Sequence, residues 1–369
     1  MASTLSATNT SRADLRAYVL FSSPYSFVAF LLPFYIFELG GGGAEVGVAY
    51  GFYALAVVLL RPLSGAAADR LGRRLTAVAG GVALSAAMAL LGLSAELWQV
   101  YAAMFLAGAA SSLVNVAVIA YVTDVGGLED PSLYSKMRVA AAAGAVGGGV
   151  SIPLVYLLSK ALGYVPAFRA VAFLFAAVSL AALLLVPGET RHLAGRHVEW
   201  RVGAASLVVA SSFLLGLSLG AYGPQVLPYL YQKYGLSPFA AVAAYLPAVA
   251  SWFLGPRLAK PTSRSVALGG FLTAGGLAGM WLSPTPLYFS LSWVVESLGV
   301  AVVSTSLDQM FSRHVAGAYW GRGYGVYQAL NNLGYSIGAF ASGHLPAPFL
   351  FAIPWALASA FLPFFIKSR

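Results

Sequence analysis

Twelve stretches of this chain are each long and apolar enough to cross a bilayer, and they restrict its fold more than any other feature. They lie near residues 17–37, 45–64, 75–94, 98–122, 138–158, 166–187, 202–222, 238–255, 265–283, 286–308, 323–345 and 347–366. A spanning helix needs about 20 mostly apolar residues. Inside hydrocarbon every backbone polar group must be paired, so only helices or closed barrels span. The runs are uniformly apolar rather than alternating, which selects helices. Pro24, Pro33, Pro153 and Pro247 fall inside runs, as membrane helices tolerate. The first run is too long for a cleaved leader and lacks a clear cleavage site, so a retained helix is expected. Charged residues make up 9% of the chain, against about 25% in soluble domains. A soluble enzyme and a disordered chain are both excluded. With no cysteine, disulfides and thiolate metal sites are excluded too.

The basic residues orient the runs. If the N-terminus is cytoplasmic, all 21 Lys and Arg except Lys160, Arg169 and Lys233 fall on the cytoplasmic side. That is the bias of the positive-inside rule. The net charge of +9 is therefore a topology signal, and no nucleic-acid partner is needed to account for it. The expected location is the cell membrane, multi-pass, with both termini cytoplasmic.

The two halves carry matching punctuation. Asp124 and Arg138 bracket the fourth and fifth runs as Asp308 and Arg322 bracket the tenth and eleventh, at the same spacing. These four are candidate ion-pair residues related by a repeat. Gly65 to Arg74 is likewise matched by Gly255 to Arg264. The expected organisation is a six-helix half over 1–187, a short cytoplasmic linker over 188–200, and a second six-helix half over 201–369, a pattern found among secondary transporters.

Between the second and third runs stands Gly65-Ala66-Ala67-Ala68-Asp69-Arg70-Leu71-Gly72-Arg73-Arg74. This loop resembles the G-x-x-x-D-R-x-G-R-R signature of the major facilitator superfamily at every defining position. With the twelve runs and the half-repeat, the resemblance covers the whole chain. It implies two pseudo-symmetric six-helix halves and alternating access around a central cavity lined by helices one, four, seven and ten. It assigns Gly65, Asp69, Arg70, Gly72, Arg73 and Arg74 to a gating loop. Gly65 would let the second helix approach a neighbour. Asp69 can pair with a basic group or a helix N-terminus across the interface between halves. The arginines can also anchor at anionic headgroups. In the second half Ala259 replaces the aspartate, while Lys260 and Arg264 stay basic. Many members carry an Arg four positions before a Gly in helix four. Here Met104 precedes Gly108, so that residue's proton role does not carry over. The Gly-Pro pair of drug antiporters is also missing, since Ile152 precedes Pro153.

Polar residues at helical spacing in the cavity helices are the substrate candidates: Ser22 and Tyr25; Ser112 and Asn115; Ser211 and Tyr222; Trp293 and Glu296. Gln328 and Asn331 join them from a polar stripe in the eleventh run. Its counterpart in the fifth, Ala140, Gly144, Gly147 and Ser151, is small and suited to close packing. Glu296 reads as the one acid well inside a span. An ionisable group there costs several kcal/mol unless paired, protonated or hydrated, and is functional by default. It is the proton-coupling candidate, with binding of a cationic group as the other role and a structural hydrogen bond as the alternative. With no base placed in the cavity, an uncharged or cationic solute fits better than a multiply anionic one.

His192, His197, His314 and His344 form no metal-ligand cluster with carboxylates, and no nucleophile–base pair stands near a span. No metal, no cofactor and no enzymatic activity are expected. The function read from the sequence is secondary active transport of a small organic solute, with proton coupling. A multidrug or cation efflux antiporter is the alternative, and a channel or membrane enzyme a remote one. The expected partners are the lipid bilayer, a small-molecule substrate and protons, with the protein a monomer.

Overall fold

The structure is a computed structural model in which residues 14–126, 132–190, 202–314 and 320–366 are described. Helices and the short connections between them make up the described residues, with no strand among them. The first four spans are single helices: α1 (Arg16–Glu38), α2 (Gly43–Leu71), α3 (Arg73–Leu93) and α4 (Leu97–Gly126). The fifth is α5 (Ser132–Gly149) followed by α6 (Ser151–Leu162), broken at a glycine run. The sixth is α7 (Tyr164–Ala182), with a closing 3-10 turn. The seventh is α8 (Val202–Tyr222), a 3-10 turn over Gly223–Gln225, and α9 (Val226–Tyr234). It runs a dozen residues past the expected end at 222, because Pro224 bends the helix without stopping it. The eighth joins α10 (Pro238–Ala243) to α11 (Val249–Leu258) through a turn holding Pro247. The last four are α12 (Ser263–Leu282), α13 (Pro286–His314), α14 (Trp320–Ser342) and α15 (Pro348–Phe361).

Eleven of these spans have the length and hydropathy of membrane crossings. The remaining one, α14, carries Gln328, Asn331 and Asn332, and its amides are satisfied inside the protein. Asn331 Nδ2 donates to Ser212 O at 2.7 Å, and Asn332 Nδ2 to Gln328 O at 2.8 Å. The outer surface is apolar, with Leu59, Leu63, Val150, Leu184 and Phe365 all exposed, as a bilayer requires.

The repeat is legible in packing. Gly80 of α3 lies against Val114 of α4, and Gly269 of α12 lies against Val303 of α13. At the same offset, Ser94 ends α3 and Ser283 ends α12. The Ser94 carbonyl accepts from Tyr35 Oη at 2.5 Å and Arg169 Nη2 at 2.6 Å; the Ser283 carbonyl accepts from Tyr234 Oη and Lys233 Nζ, both at 2.9 Å. A cation at a helix C-terminus satisfies open carbonyls and complements the dipole. Two of the three basic residues that the charge bias left on the far side are thus helix caps. The third, Lys160, lies 4.3 Å over the Tyr156 ring.

Contacts across the two sets of six spans concentrate on α2 with α14 and on α5 with α11 and α13. At the end away from the Gly65–Arg74 loop, Gln225 Nε2 donates to Gly43 O and Ser342 Oγ, both at 2.9 Å. Phe34 meets Tyr231 there edge to face at 5.8 Å. Within the second set, α8 and α14 approach backbone to backbone: Gly216 and Gly220 face Asn331 and Tyr335, and Gly334 faces Phe213.

Candidate functional site

Two connected chambers occupy the centre of the bundle. The larger, about 600 Å³, is mostly apolar. Phe21, Tyr25, Phe30, Tyr50, Tyr53, Tyr222, Tyr245, Trp252, Trp293 and Tyr335 supply its rings, and Glu296, Ser22, Ser26 and Ser297 its polar groups. The smaller, about 360 Å³, is polar: Arg61, Arg138, Asp308, Gln328, Asn331 and Asn332 line it. Tyr18, Tyr53, Ser111, Asn115, Arg138 and Ser304 border both, so the two are continuous. Spans one, two, four, five, seven, eight, ten and eleven contribute walls, a wider set than the four expected.

Glu296 is 3% exposed and lines the apolar chamber. Its Oε1 accepts a short hydrogen bond from Tyr222 Oη, and its Oε2 one from Ser297 Oγ at 3.0 Å. Gly276 of α12 backs its main chain closely enough to exclude a Cβ. Trp293 lies one turn earlier on α13, with Tyr245 at 4.3 Å between ring centroids. Asn115 takes the Tyr18 hydroxyl hydrogen bond at 2.8 Å and donates to Ser111 O and Oγ, each at 2.9 Å. Ser22 gives its proton to Tyr18 O at 2.8 Å while lining the chamber, and Tyr25 packs edge on to Tyr53 at 5.9 Å. Gln328 and Asn331 face the polar chamber. Two candidates stand outside both. Ser112 is buried against Ser64 Oγ at 3.0 Å, and Ser211 donates back to Leu207 O at 2.9 Å. Both share a helix with true lining residues, but their own directions point into helix–helix contacts.

Sequence reasoning missed the charge of the polar chamber. Arg61 lies near the end of the second run and counts in the sequence only as one of the basic residues on the cytoplasmic side. In the structure α2 continues to Leu71, so Arg61 is inside the helix and 5% exposed. Asp308 was read as closing the tenth run, yet α13 continues to His314 and Asp308 is 2% exposed. Glu296 is therefore not the one acid deep in a span, and the cavity does hold bases. The available signal was the position of Arg61 inside the apolar run 45–64, where a charged side chain is functional by default.

Of the repeat-related acids and bases, Arg138 of α5 pairs with Asp308 of α13, through a short Nη2 contact and Nε at 3.1 Å. This ion pair joins the two sets of six spans. Asp124 pairs elsewhere, with Arg73 Nε at 3.0 Å, and accepts from Thr190 Oγ1 at 2.8 Å. The Arg322 side chain lies outside the described residues, as do those of His192, His197 and His314 and residues 191–200 of the expected linker.

The Gly65–Arg74 loop is built around Arg73. Its Nη1 donates to Ala68 O at 2.7 Å and to Asp69 Oδ1 at 3.3 Å. Gly72 is in the left-handed region at φ 99°, where other residues are strained. A Cβ there would also overlap the Glu189 carboxylate. That carboxylate accepts the backbone N–H of Arg73 at 2.7 Å and Arg74 at 3.1 Å, capping α3. Asp69 thus has a partner within its own loop, Arg70 is exposed, and Gly65 has open space around its Cα. The N-terminal segment lies at this same end, since Asp14, Arg73 and Arg74 border one small cleft.

A twelve-span helical bundle around a central cavity has the architecture of a membrane transporter. The chain belongs to the Major Facilitator Superfamily, which it matches over residues 17–260. Among named relatives, it is 23% identical over 330 residues to the inner membrane transport protein YajR of Escherichia coli (strain K12), covering 84% of this chain and 71% of that one. It is 24% identical over 264 residues to the multidrug resistance protein MdtG of Yersinia enterocolitica, covering 65% and 62%. In fold it resembles the human organic anion transporter MFSD10 (TETRAN), with a TM-score of 0.70, 16% identity and coverage of 95% and 98%. It likewise resembles the nucleoside transporter NupG, with a TM-score of 0.69, 15% identity and coverage of 97% and 100%. The protein is a multi-pass secondary transporter whose surroundings are the lipid bilayer and whose cargo is a small molecule.

Proposed function

We propose that this transporter carries a small organic solute by alternating access, coupled to protons through Glu296. The halves that rock are 1–187 and 201–369, joined by 188–200. The chain acts as a monomer in the cell membrane, with both termini and the Gly65–Arg74 loop cytoplasmic, and it performs no enzymatic chemistry. The observation that carries the reading is a buried carboxylate in a cavity wall. Glu296 shares its hydrogen bonds with Tyr222 on the seventh span and Ser297 on its own. Holding an acid there is costly unless its protonation or pairing is used. Ser22, Tyr25, Asn115, Tyr222, Trp293, Gln328 and Asn331 would contact the solute. The Arg138–Asp308 pair would close the polar chamber in one access state, and the Arg73 network would hold the loop beside it.

The rings of Tyr222, Tyr245 and Trp293 around an acid favour a second reading, efflux of an organic cation in exchange for protons. Arg61 and Arg138 oppose it, since they would face the same cargo. Uptake into proteoliposomes under an imposed proton gradient tests the coupling. Wild-type protein should accumulate solute, whereas Glu296→Gln should equilibrate it without accumulation. Equal accumulation by both would remove Glu296 from the coupling.

A further inference from the structure

Hydrogen-bond direction is fixed where the two chambers join. The Ser111 carbonyl can only accept, so the Asn115 atom 2.9 Å from it is Nδ2, and Asn115 Oδ1 faces Tyr18. An amide oxygen carries no proton, so Tyr18 Oη donates to it at 2.8 Å. Tyr53 Oη gives its proton to Ser111 Oγ at 2.8 Å. Tyr50 Oη lies against two carbonyls, Ala29 O at 3.2 Å and Val28 O at 3.3 Å, and Ser22 Oγ against a third, Tyr18 O at 2.8 Å. These side chains line the ring-rich chamber, and Tyr18, Tyr50, Tyr53 and Ser22 each spend their one proton on its wall. What they keep for a cargo is oxygen lone pairs.

Two prolines add acceptors to the same wall. Pro33 has no N–H to return to Ala29 O, the carbonyl one turn back on α1. Ala29 is exposed and lines the chamber, and the Tyr50 hydroxyl divides one proton between its carbonyl and that of Val28. A carbonyl accepts two hydrogen bonds, so Ala29 O has capacity for a cargo. Pro256 stands in the same relation to Trp252 on α11, and both line the chamber. Tyr245 lies between the two places, with ring centroids 4.9 Å from Phe30 and 5.4 Å from Trp252.

We infer that this site recognises its cargo as a hydrogen-bond donor, and that the cargo is an uncharged aryl alcohol or aryl polyol. Its hydroxyl groups donate to Tyr18, Tyr53 and the Ala29 carbonyl, and its ring lies among Tyr25, Tyr245 and Trp293. The inference rests on the reading of the chamber as the cargo site, and not on the proton role of Glu296. A neutral donor needs no counter-charge in a mostly apolar chamber, and the rings suit a flat apolar body. An ether or a carboxylate of the same shape sets acceptor against acceptor. A site whose buried polar groups are left unpaired rejects such an analogue strongly. The donors of the wall do not reverse this. Arg138 is engaged by Asp308, and the indoles of Trp252 and Trp293 line the larger chamber away from the join.

The test is binding to the purified full-length protein, followed as a rise in the thermal midpoint. The probes are phenyl β-glucoside, 3-phenylpropane-1,2-diol and 2-phenylethanol, each beside its fully O-methylated ether, with 2-phenylethylamine and 3-phenylpropionate as charged counterparts. At least one alcohol should bind, about tenfold or more tightly than its ether, and neither charged probe should compete with it. Tyr18→Phe and Tyr53→Phe each remove one acceptor oxygen, and should weaken the alcohol by about two- to tenfold while leaving the ether unchanged. Asn115→Ala releases the Tyr18 proton to the cavity, so the alcohol should weaken and the ether strengthen, whereas a loss of packing alone would weaken both. Ether binding as tight as alcohol binding overturns the donor rule, as does an alcohol-to-ether ratio that all three variants leave unchanged. Binding of the amine or the carboxylate in place of the alcohols overturns the uncharged class. Binding of no probe overturns the inference, while the Glu296→Gln uptake assay judges the transport reading separately.

Discussion

Substituting Asp308 with Asn isolates the ion pair that ties α5 to α13. The Asp308 side chain is 3% exposed and that of Arg138 38%. Removing one partner of a fully buried pair costs roughly 3–5 kcal/mol, whereas an exposed pair is worth about 0–1 kcal/mol. With one arm buried and the other a third exposed, the tie is worth about 2 kcal/mol. Lost from one access state only, that energy changes the ratio between states by about 30-fold. The chain has no cysteine, so a single Ser304→Cys, on the border of both chambers, reports accessibility without background. A membrane-impermeant thiol reagent is added from the side that carries the Gly65–Arg74 loop. Asp308→Asn should raise the labelling rate by up to about 30-fold. Arg138→Gln should act in the same direction, and the double variant should match either single one rather than their product. Unchanged labelling, or single effects that simply multiply, would refute the role given to this pair.

Three further outcomes follow from the packing. Gly220→Val places side-chain atoms where the Tyr335 carbonyl lies; it should lower the thermal midpoint by an amount equivalent to about 1–3 kcal/mol or more, whereas Gly149→Ala, with open space around it, should be neutral. Glu189→Gln keeps the shape of the α3 cap but removes its charge, and should cost about 0.3–1 kcal/mol, read as a small midpoint drop that high salt removes from the wild type as well. Ser112→Ala and Ser211→Ala should leave KM unchanged in the uptake assay, because neither side chain reaches a chamber, while Asn115→Ala should raise it.

Much of the site was legible because membrane physics makes some residues conspicuous. Glu296 stood out as an acid within an apolar run and does line the cavity. The polar stripe of α14 showed in its spacing, and Gln328 and Asn331 face the polar chamber from it. The hydroxyls were read less well. Ser112 and Ser211 have the same composition cues as Ser22, and a single helix cannot say which of its faces meets a neighbour. Gly147, expected in the tight face of the fifth span, has open space, while Gly148 beside it meets the Ser23 backbone.

The sequence by itself determined the number of spans, the gathering of most basic residues into alternate connections, the loop at Gly65–Arg74 and the family. Each of these depends on hydrophobicity or charge summed over a segment, or on contiguous residues, and no long-range contact is needed to read it. Tertiary structure alone decided which charges meet. Arg138 finds Asp308 across the halves, Asp124 finds Arg73, and Arg61, near the end of its run, stands in the cavity wall. Those outcomes depend on where helices end and how they are rotated against one another, quantities that shift with a single turn of helix and that only the packing of all twelve spans resolves.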